Sequence, residues 1–297
     1  MTFIQKLLCV AGVTFASLGH AHGADAVIKR GYVENRYGQL HYQMAVPTES
    51  KAKQRTPLVM FHQTANTSLE FGKLIPEMGR DRTVIAIDTP GYGGSDGPKE
   101  VPTITDYMTA VNEGLKNLGY GTNKPVDVLG LHTGAFTGIE LAIAEPKMVR
   151  KVVLVGVWLV SEETRLRAIS RLPRYKTSVE FFDWFAANLP RLQKTQLAQN
   201  AGDTDWGLVI ADSLRPLIKR EYGHDAAFSY AAKLRERAPM VTQPVLLLAL
   251  NDGIRQSTLD SQPLFKKPTL ADFPNLQEGA FFTAAPELGV SLRKFLD

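Results

Sequence analysis

His132 stands between two glycines in the run Gly130-Leu131-His132-Thr133-Gly134, directly after the apolar stretch Val126 to Leu129. An imidazole titrates near neutral pH, so it can take up a proton without help from a second base. Glycines two positions to either side predict a sharp turn from strand to helix. The residue at the tip of such a turn is pushed toward positive φ, and its neighbours two places away must lack bulk. Histidine tolerates that backbone better than β-branched residues do. The chemistry expected is therefore proton abstraction by an imidazole presented at a strand end, with an inert histidine as the competing reading.

The other histidines invite blander readings. His62, followed by Gln63, closes the apolar run Pro57 to Phe61 and reads as a structural residue bonded to loop backbone. His41 lies in a hairpin and reads as a surface or edge residue. His224, in the stretch Glu221 to Asp225, reads as a helix-start residue, with a place above the cleft as the other reading. A metal held by His132 and His62 is weakly supported, because no His-x-x-x-His pair or carboxylate cluster accompanies them. No metal and no cofactor are expected.

These residues need a scaffold, and the apolar pattern supplies one. Residues 31–46 alternate in polarity around Tyr37-Gly38 and predict an antiparallel hairpin. Short apolar runs at 57–61, 83–88, 126–130, 151–156 and 244–250 read as strands buried on both faces. Helical stretches fall at 69–78, 104–118 and 135–144, and a helix runs from Pro286 to the C-terminus. A weak last strand is expected near Asn275. Alternating strands and helices predict an α/β fold: a mostly parallel central sheet flanked by helices. The rhythm stops after Val160. Residues 161–240 read as several helices broken near Pro173 and Pro190, a helical cap or lid inserted into one sheet.

This ordered set of motifs resembles the α/β-hydrolase fold superfamily. It comprises the hairpin, the strand ending in His62-Gln63, the strand ending in Asp88 and the turn Pro90 to Ser95, the glycine-flanked elbow, the helical insert, and the strand ending in Asn251-Asp252-Gly253. In that family the elbow centre is a serine, G-x-S-x-G; here it is His132. The family's catalytic histidine follows the last strand, where this chain has Gly279-Ala280-Phe281. The resemblance implies that Asp252 matches the family's acid. It also implies an oxyanion site at the amides of Thr133 and Thr64, with Gln63 beside it as a polar contact or a brace of the loop. Serine and histidine being absent together, a His132–Asp252 dyad is expected. Asp88 and the Gly91 to Gly94 turn read as structural.

Composition narrows the function. The chain has 297 residues, 44% hydrophobic and 22% charged, with a net charge of +4 spread along its length. That distribution offers no electrostatic case for nucleic acid. Lys6 and the apolar run Leu7 to Leu18, followed by small residues, predict an export signal over 1–23 and a periplasmic or secreted protein without a membrane anchor after cleavage. The single cysteine, Cys9, falls within it, so the mature chain is expected to have no thiol chemistry. The core is expected over 24–160 and 241–297, with the cap over 161–240. The cap's aromatic residues, Phe181, Phe182, Trp184, Phe185 and Trp206, read mostly as its core, and Trp158 reads as a pocket wall. Arg165, Arg167, Arg171, Arg174 and Lys176 read as a solvated helix face, with one arginine turned inward as the other reading.

Three functions stay open. An enzyme using His132 as a base on a small organic substrate would hydrolyse an ester or lactone, or cleave a C–C bond. A cofactor-free lyase would use the same base. A catalytically inactive ligand-binding protein would keep only the pocket. The sequence leaves the oligomeric state open.

Overall fold

A computed structural model describes residues 26–48, 55–198, 203–277 and 279–297, the side chains of 192–198 and 203–206 excepted. The expected export signal with Cys9, and the side chain of Trp206, lie outside the described residues.

Eight strands form one sheet in the order β1-β2-β4-β3-β5-β6-β7-β8. They are β1 (Val27–Asn35), β2 (Gly38–Val46), β3 (Leu58–Phe61), β4 (Val84–Ile87), β5 (Val126–Leu131), β6 (Val149–Val155), β7 (Val245–Leu250) and β8 (Pro268–Phe273). The hairpin β1–β2 pairs antiparallel, and β2 joins β4 antiparallel. The other five pairings are parallel. Strands β3, β4, β5 and β7 are buried at every residue. Side chains of the central strands β3 to β7 alternate between two cores, as a pleated sheet covered on both faces requires. Val59, Val128, Leu154 and Leu247 enter one core, while Met60, Leu129, Val153 and Leu248 enter the other.

The helices are α1 (Leu74–Gly79), α2 (Ile104–Asn117), α3 (Thr133–Ala144), α4 (Glu162–Ser170), α5 (Ser178–Ala198), α6 (Asp203–Ser213), α7 (Tyr222–Ala231), α8 (Leu234–Arg237), α9 (Arg255–Asp260), α10 (Ala280–Thr283) and α11 (Ala285–Leu296). Five of them, α4 to α8, occupy the long connection between β6 and β7. The α/β architecture expected from the strand rhythm is the one observed.

Three local expectations need correction. The helix expected over 69–78 is a 3₁₀ turn (Ser68–Phe71) followed by α1. Gly72 divides them at φ +36°, where a Cβ would lie 2.3 Å from the Phe282 ring. Pro190 lies inside α5 and does not end it. The carbonyl it leaves unbonded, on Ala186, is on an exposed stretch and can turn to water. The last strand is β8, ending before the Pro274-Asn275 turn. At the sheet edge and partly exposed, Pro268 to Phe273 lacks the continuous apolar run of the central strands.

Asp88, just past β4, ties the hairpin to the sheet. It accepts hydrogen bonds from His41 Nδ1 (2.7 Å), the Ser68 amide (2.7 Å) and the Gly94 amide (2.9 Å). His41 is thus partly buried and structural, not a surface residue. Burial alone would raise the Asp88 carboxyl, but the His41 hydrogen bond and the two amides outweigh it and hold it below its ordinary range. A lowered folded-state value gives stability that is complete above the unfolded carboxyl's range and is lost as pH falls through the folded one. Asp88→Ala, which strands the buried Ser68 amide and the half-buried Gly94 amide, is therefore expected to cost about 3 kcal/mol in denaturant unfolding at neutral pH. Acid titration should narrow the gap from wild type.

Candidate active site

The elbow is built as its glycines require. His132 has φ +48° and ψ −107° and caps the N-terminus of α3. Its amide donates to Val155 O (2.8 Å), which pins the turn to the neighbouring strand β6. A Cβ on Gly130 would lie 2.2 Å from Gly134 O, and one on Gly134 would lie 2.1 Å from Phe61 O. Neither position can hold a larger residue without moving backbone.

The His132 ring reaches Asp252, which follows β7. Nε2 lies 3.0 Å from Asp252 Oδ2. The Asp252 side chain is fully buried, and its other oxygen accepts the Ile254 amide at 3.0 Å. The imidazole keeps one edge accessible, with 21% of its surface exposed. A carboxylate accepts only, so in the neutral ring the hydrogen sits on Nε2 and the lone pair on Nδ1. Ala280 is buried beside Phe281, so no imidazole comes from the position where the resemblance would have placed one.

Gly156 shapes the site, a role that carries no signal in the sequence. It follows β6 at φ +69°, and a Cβ there would lie 2.0 Å from His132 Cδ2, 2.4 Å from Nε2 and 2.9 Å from Asp252 Oδ2. Its bare α-carbon leaves the space in which ring and carboxylate meet. A glycine at the end of a buried strand was visible in the sequence; what faces it was not.

A cavity of about 260 Å³ opens over His132. Gln63, Thr64, Thr133 and Trp158 line it, as do His224 and Phe228. All four expected binding residues therefore gather around His132. Thr133 is the first residue of α3, where an amide has no intrahelical acceptor and the helix end is electropositive. Gln63 also braces the loop: its Nε2 donates to Glu70 Oε1 (2.5 Å) and its amide to Glu70 Oε2 (3.3 Å). Buried Glu70 was missed because its role depends on a fold-back across seven residues.

Apolar walls come from Phe136, Phe228, Trp158 and Ile254, with Trp158 and Phe228 packed at 4.5 Å between ring centroids. Among the described residues, no Lys, Arg, Asp or Glu lines this cavity. Arg165 is the arginine turned furthest inward, 14% exposed and donating to Phe228 O at 3.5 Å, but it does not line the cavity. Arg165, Arg167 and Arg174 pair with Glu162, Glu163 and Asp225.

His62 takes the structural role. Its Nδ1 donates to Gln63 O (2.8 Å), and its Nε2 accepts the Thr89 amide (2.8 Å). Burial drives its pKa down, and both ring nitrogens are engaged, which removes it as a metal partner for His132. His224 lies in the first turn of α7, as a helix-start residue would, but its side chain lines the cavity.

A family model described as alpha/beta hydrolase fold matches residues 56–227. The chain is 33% identical over 112 residues to pyrrolizixenacetamide deacetylase of Xenorhabdus hominickii, covering 36% of this chain and 40% of that protein. It is 28% identical over 195 residues to RutD of Cronobacter turicensis, named as a carbamate hydrolase, covering 61% of this chain and 67% of that one. The match thus spans about two fifths of the deacetylase's length and about two thirds of the second relative's. Among solved structures, an enol-lactonase from Burkholderia xenovorans LB400 superposes with a TM-score of 0.66 at 16% identity, covering 90% of this chain and 99% of that one. A hydrolase from Pseudomonas aeruginosa PA01 superposes with a TM-score of 0.69 at 17% identity, covering 90% and 98%.

The crowding at Gly156 makes a direct test of the geometry. Gly156→Ala should fold with a loss of about 1–2 kcal/mol from its positive φ. Its crystal structure should show the His132–Asp252 pair driven beyond about 3.5 Å. An unmoved pair would show that the glycine is not needed for it.

Proposed function

The chain belongs to the α/β-hydrolase family, and from that premise we propose that it hydrolyses a small, uncharged carbonyl substrate, an ester or lactone, with His132 as general base and Asp252 as its orienting partner. The observation that carries this reading is the 3.0 Å approach of His132 Nε2 to a fully buried Asp252 oxygen. With the hydrogen fixed on Nε2, Nδ1 takes a proton from water as the water oxygen adds to the carbonyl carbon. The amides of Thr133 and Thr64 are the proposed donors to the resulting oxyanion, and such donors act most strongly where water is excluded. No acyl-serine forms, because the elbow carries no serine. Relatives named as a deacetylase and a carbamate hydrolase, and a structural neighbour titled an enol-lactonase, all act on carbonyl groups, which supports this class of bond. The uncharged lining supports a neutral substrate, since a charged one would lose its hydration without a partner.

In the same reading, residues 161–240 serve as a lid: α7 carries His224, Ala227 and Phe228 to the cavity. The basic, apolar N-terminal segment makes export to the periplasm or beyond the proposed location.

Activity on small acyl esters and lactones tests the dyad. His132→Asn tolerates positive φ but supplies no comparable base. It and His132→Ala should lower kcat/KM by about 10²–10⁴-fold, the usual contribution of a positioned base. Circular dichroism should show the fold intact. Asp252→Asn should lose activity in the same direction, and the double variant should lose little more than His132→Ala alone, since the two act as one unit. Turnover that survives His132→Ala would overturn the reading.

A further inference from the structure

A second imidazole held by a carboxylate faces the same cavity. His224 Nδ1 lies 2.6 Å from Glu221 Oε2. Glu221 is buried at the start of α7, and its other oxygen accepts Arg220 Nη1 at 2.7 Å. The Arg220 guanidinium rests over the Trp184 ring, 5.4 Å from its centroid, which anchors the group within the helical connection. Phe228, one turn further along α7, packs against the His224 ring at 5.6 Å and an interplanar angle of 32°, which limits its rotation. Both rings line the cavity together with His132.

The arrangement exceeds what packing requires. A helix-start histidine that served only the helix would be satisfied by water at its surface. His224 is only 28% exposed and is aligned by an acid that is itself aligned by an arginine. Burial alone would raise the Glu221 carboxyl; the hydrogen bond from His224 and the charges of His224 and Arg220 outweigh it and hold Glu221 below its ordinary range. Asp225, the next residue on α7, is occupied by Arg174, so it does not compete for the ring.

We propose that His224, positioned by Glu221, is the proton donor to the leaving group of the reaction that His132 begins. This rests on the reading of His132 as the base. Water adds to the carbonyl carbon as His132 Nδ1 takes one of its protons, and a tetrahedral oxyanion forms. The oxyanion collapses, the bond from carbon to the leaving oxygen breaks, and protonated His224 gives its Nε2 proton to that oxygen. The acid product then releases a proton, which restores His224, and His132 releases its own to solvent. One ester and one water yield a carboxylate, an alcohol and a proton. A base on the elbow and an acid on α7 line one cavity, so each can exchange its proton directly with the reacting groups.

The substrate class follows. An enzyme that equips itself to protonate the leaving oxygen suits esters or lactones of ordinary alcohols, whose alkoxides leave poorly. Activated esters, whose leaving groups depart as stable anions, have no need of the donor.

A leaving-group series separates the two roles. Wild type, His224→Gln, Glu221→Gln and His132→Ala are assayed on p-nitrophenyl acetate and on acetate esters of simple aliphatic alcohols. For His224→Gln the expected loss is about 10²-fold or more on the alkyl esters and under about threefold on the p-nitrophenyl ester. Glu221→Gln, acting through His224, should show a smaller loss with the same split, and it covers the case in which the His224 variant folds poorly. Equal losses on both ester types, or none on either, would overturn the proposal and assign His224 to shape or stability. His132→Ala should lose both ester types alike. If it keeps them, the base reading fails on its own, while the leaving-group split still speaks for or against His224. Wild type inert to every ester would overturn both.

Discussion

An imidazole at the tip of a strained turn must meet a carboxylate with no water around it, and much of the local structure serves that meeting. The buried Asp252 side chain depends on donors from the protein, among them His132 and the Ile254 amide. A buried carboxylate that loses a donor costs several kcal/mol. The hydrogen bond therefore fixes the ring as well as the acid. The glycines are placed accordingly. Gly130 and Gly134 let the chain turn, and Gly156 leaves room for the ring that the turn presents.

The sheet explains why this geometry can hold. β5 and β6 are central, paired in parallel and packed on both faces, and β6 takes the His132 amide. A residue at positive φ costs of order 1 kcal/mol, a small sum against the burial of the strands on either side. Asp252 rides on β7, the next strand over. Base and acid are thus set at the ends of β5 and β7, two strands of one sheet with β6 between them, while the apolar walls come from α3 (Phe136), the turn after β7 (Ile254) and the connection between β6 and β7 (Trp158, Phe228).

How much of this was legible in the sequence follows from what each signal measures. Strands buried on both faces read as plain apolar runs, so β3 to β7 were found close to their observed limits. β8, half exposed at the edge, lacks that run and was displaced toward Asn275. The break at Gly72 and the continuation of α5 through Pro190 depend on what packs nearby, Phe282 in one case and open solvent in the other. The elbow was legible because its glycines answer a local backbone demand. The approach of Asp252 came from resemblance, and its distance could come only from the fold. His224 shows the limit most clearly. Its place at a helix start is local, but its neighbours across the cavity, Gln63, His132 and Ile254, come from distant parts of the chain, and its alignment by Glu221 is visible only in the fold.

The central claim concerns one hydrogen: it sits on His132 Nε2, facing Asp252, so that Nδ1 carries the lone pair. Nitrogen-15 NMR of histidine-labelled protein reads this directly, with the His132 signals assigned by their loss in His132→Ala. In the neutral ring the account predicts a protonated Nε2 and a bare Nδ1, a preference that weakens in Asp252→Asn. A neutral ring with its hydrogen on Nδ1, unchanged by that substitution, would contradict it.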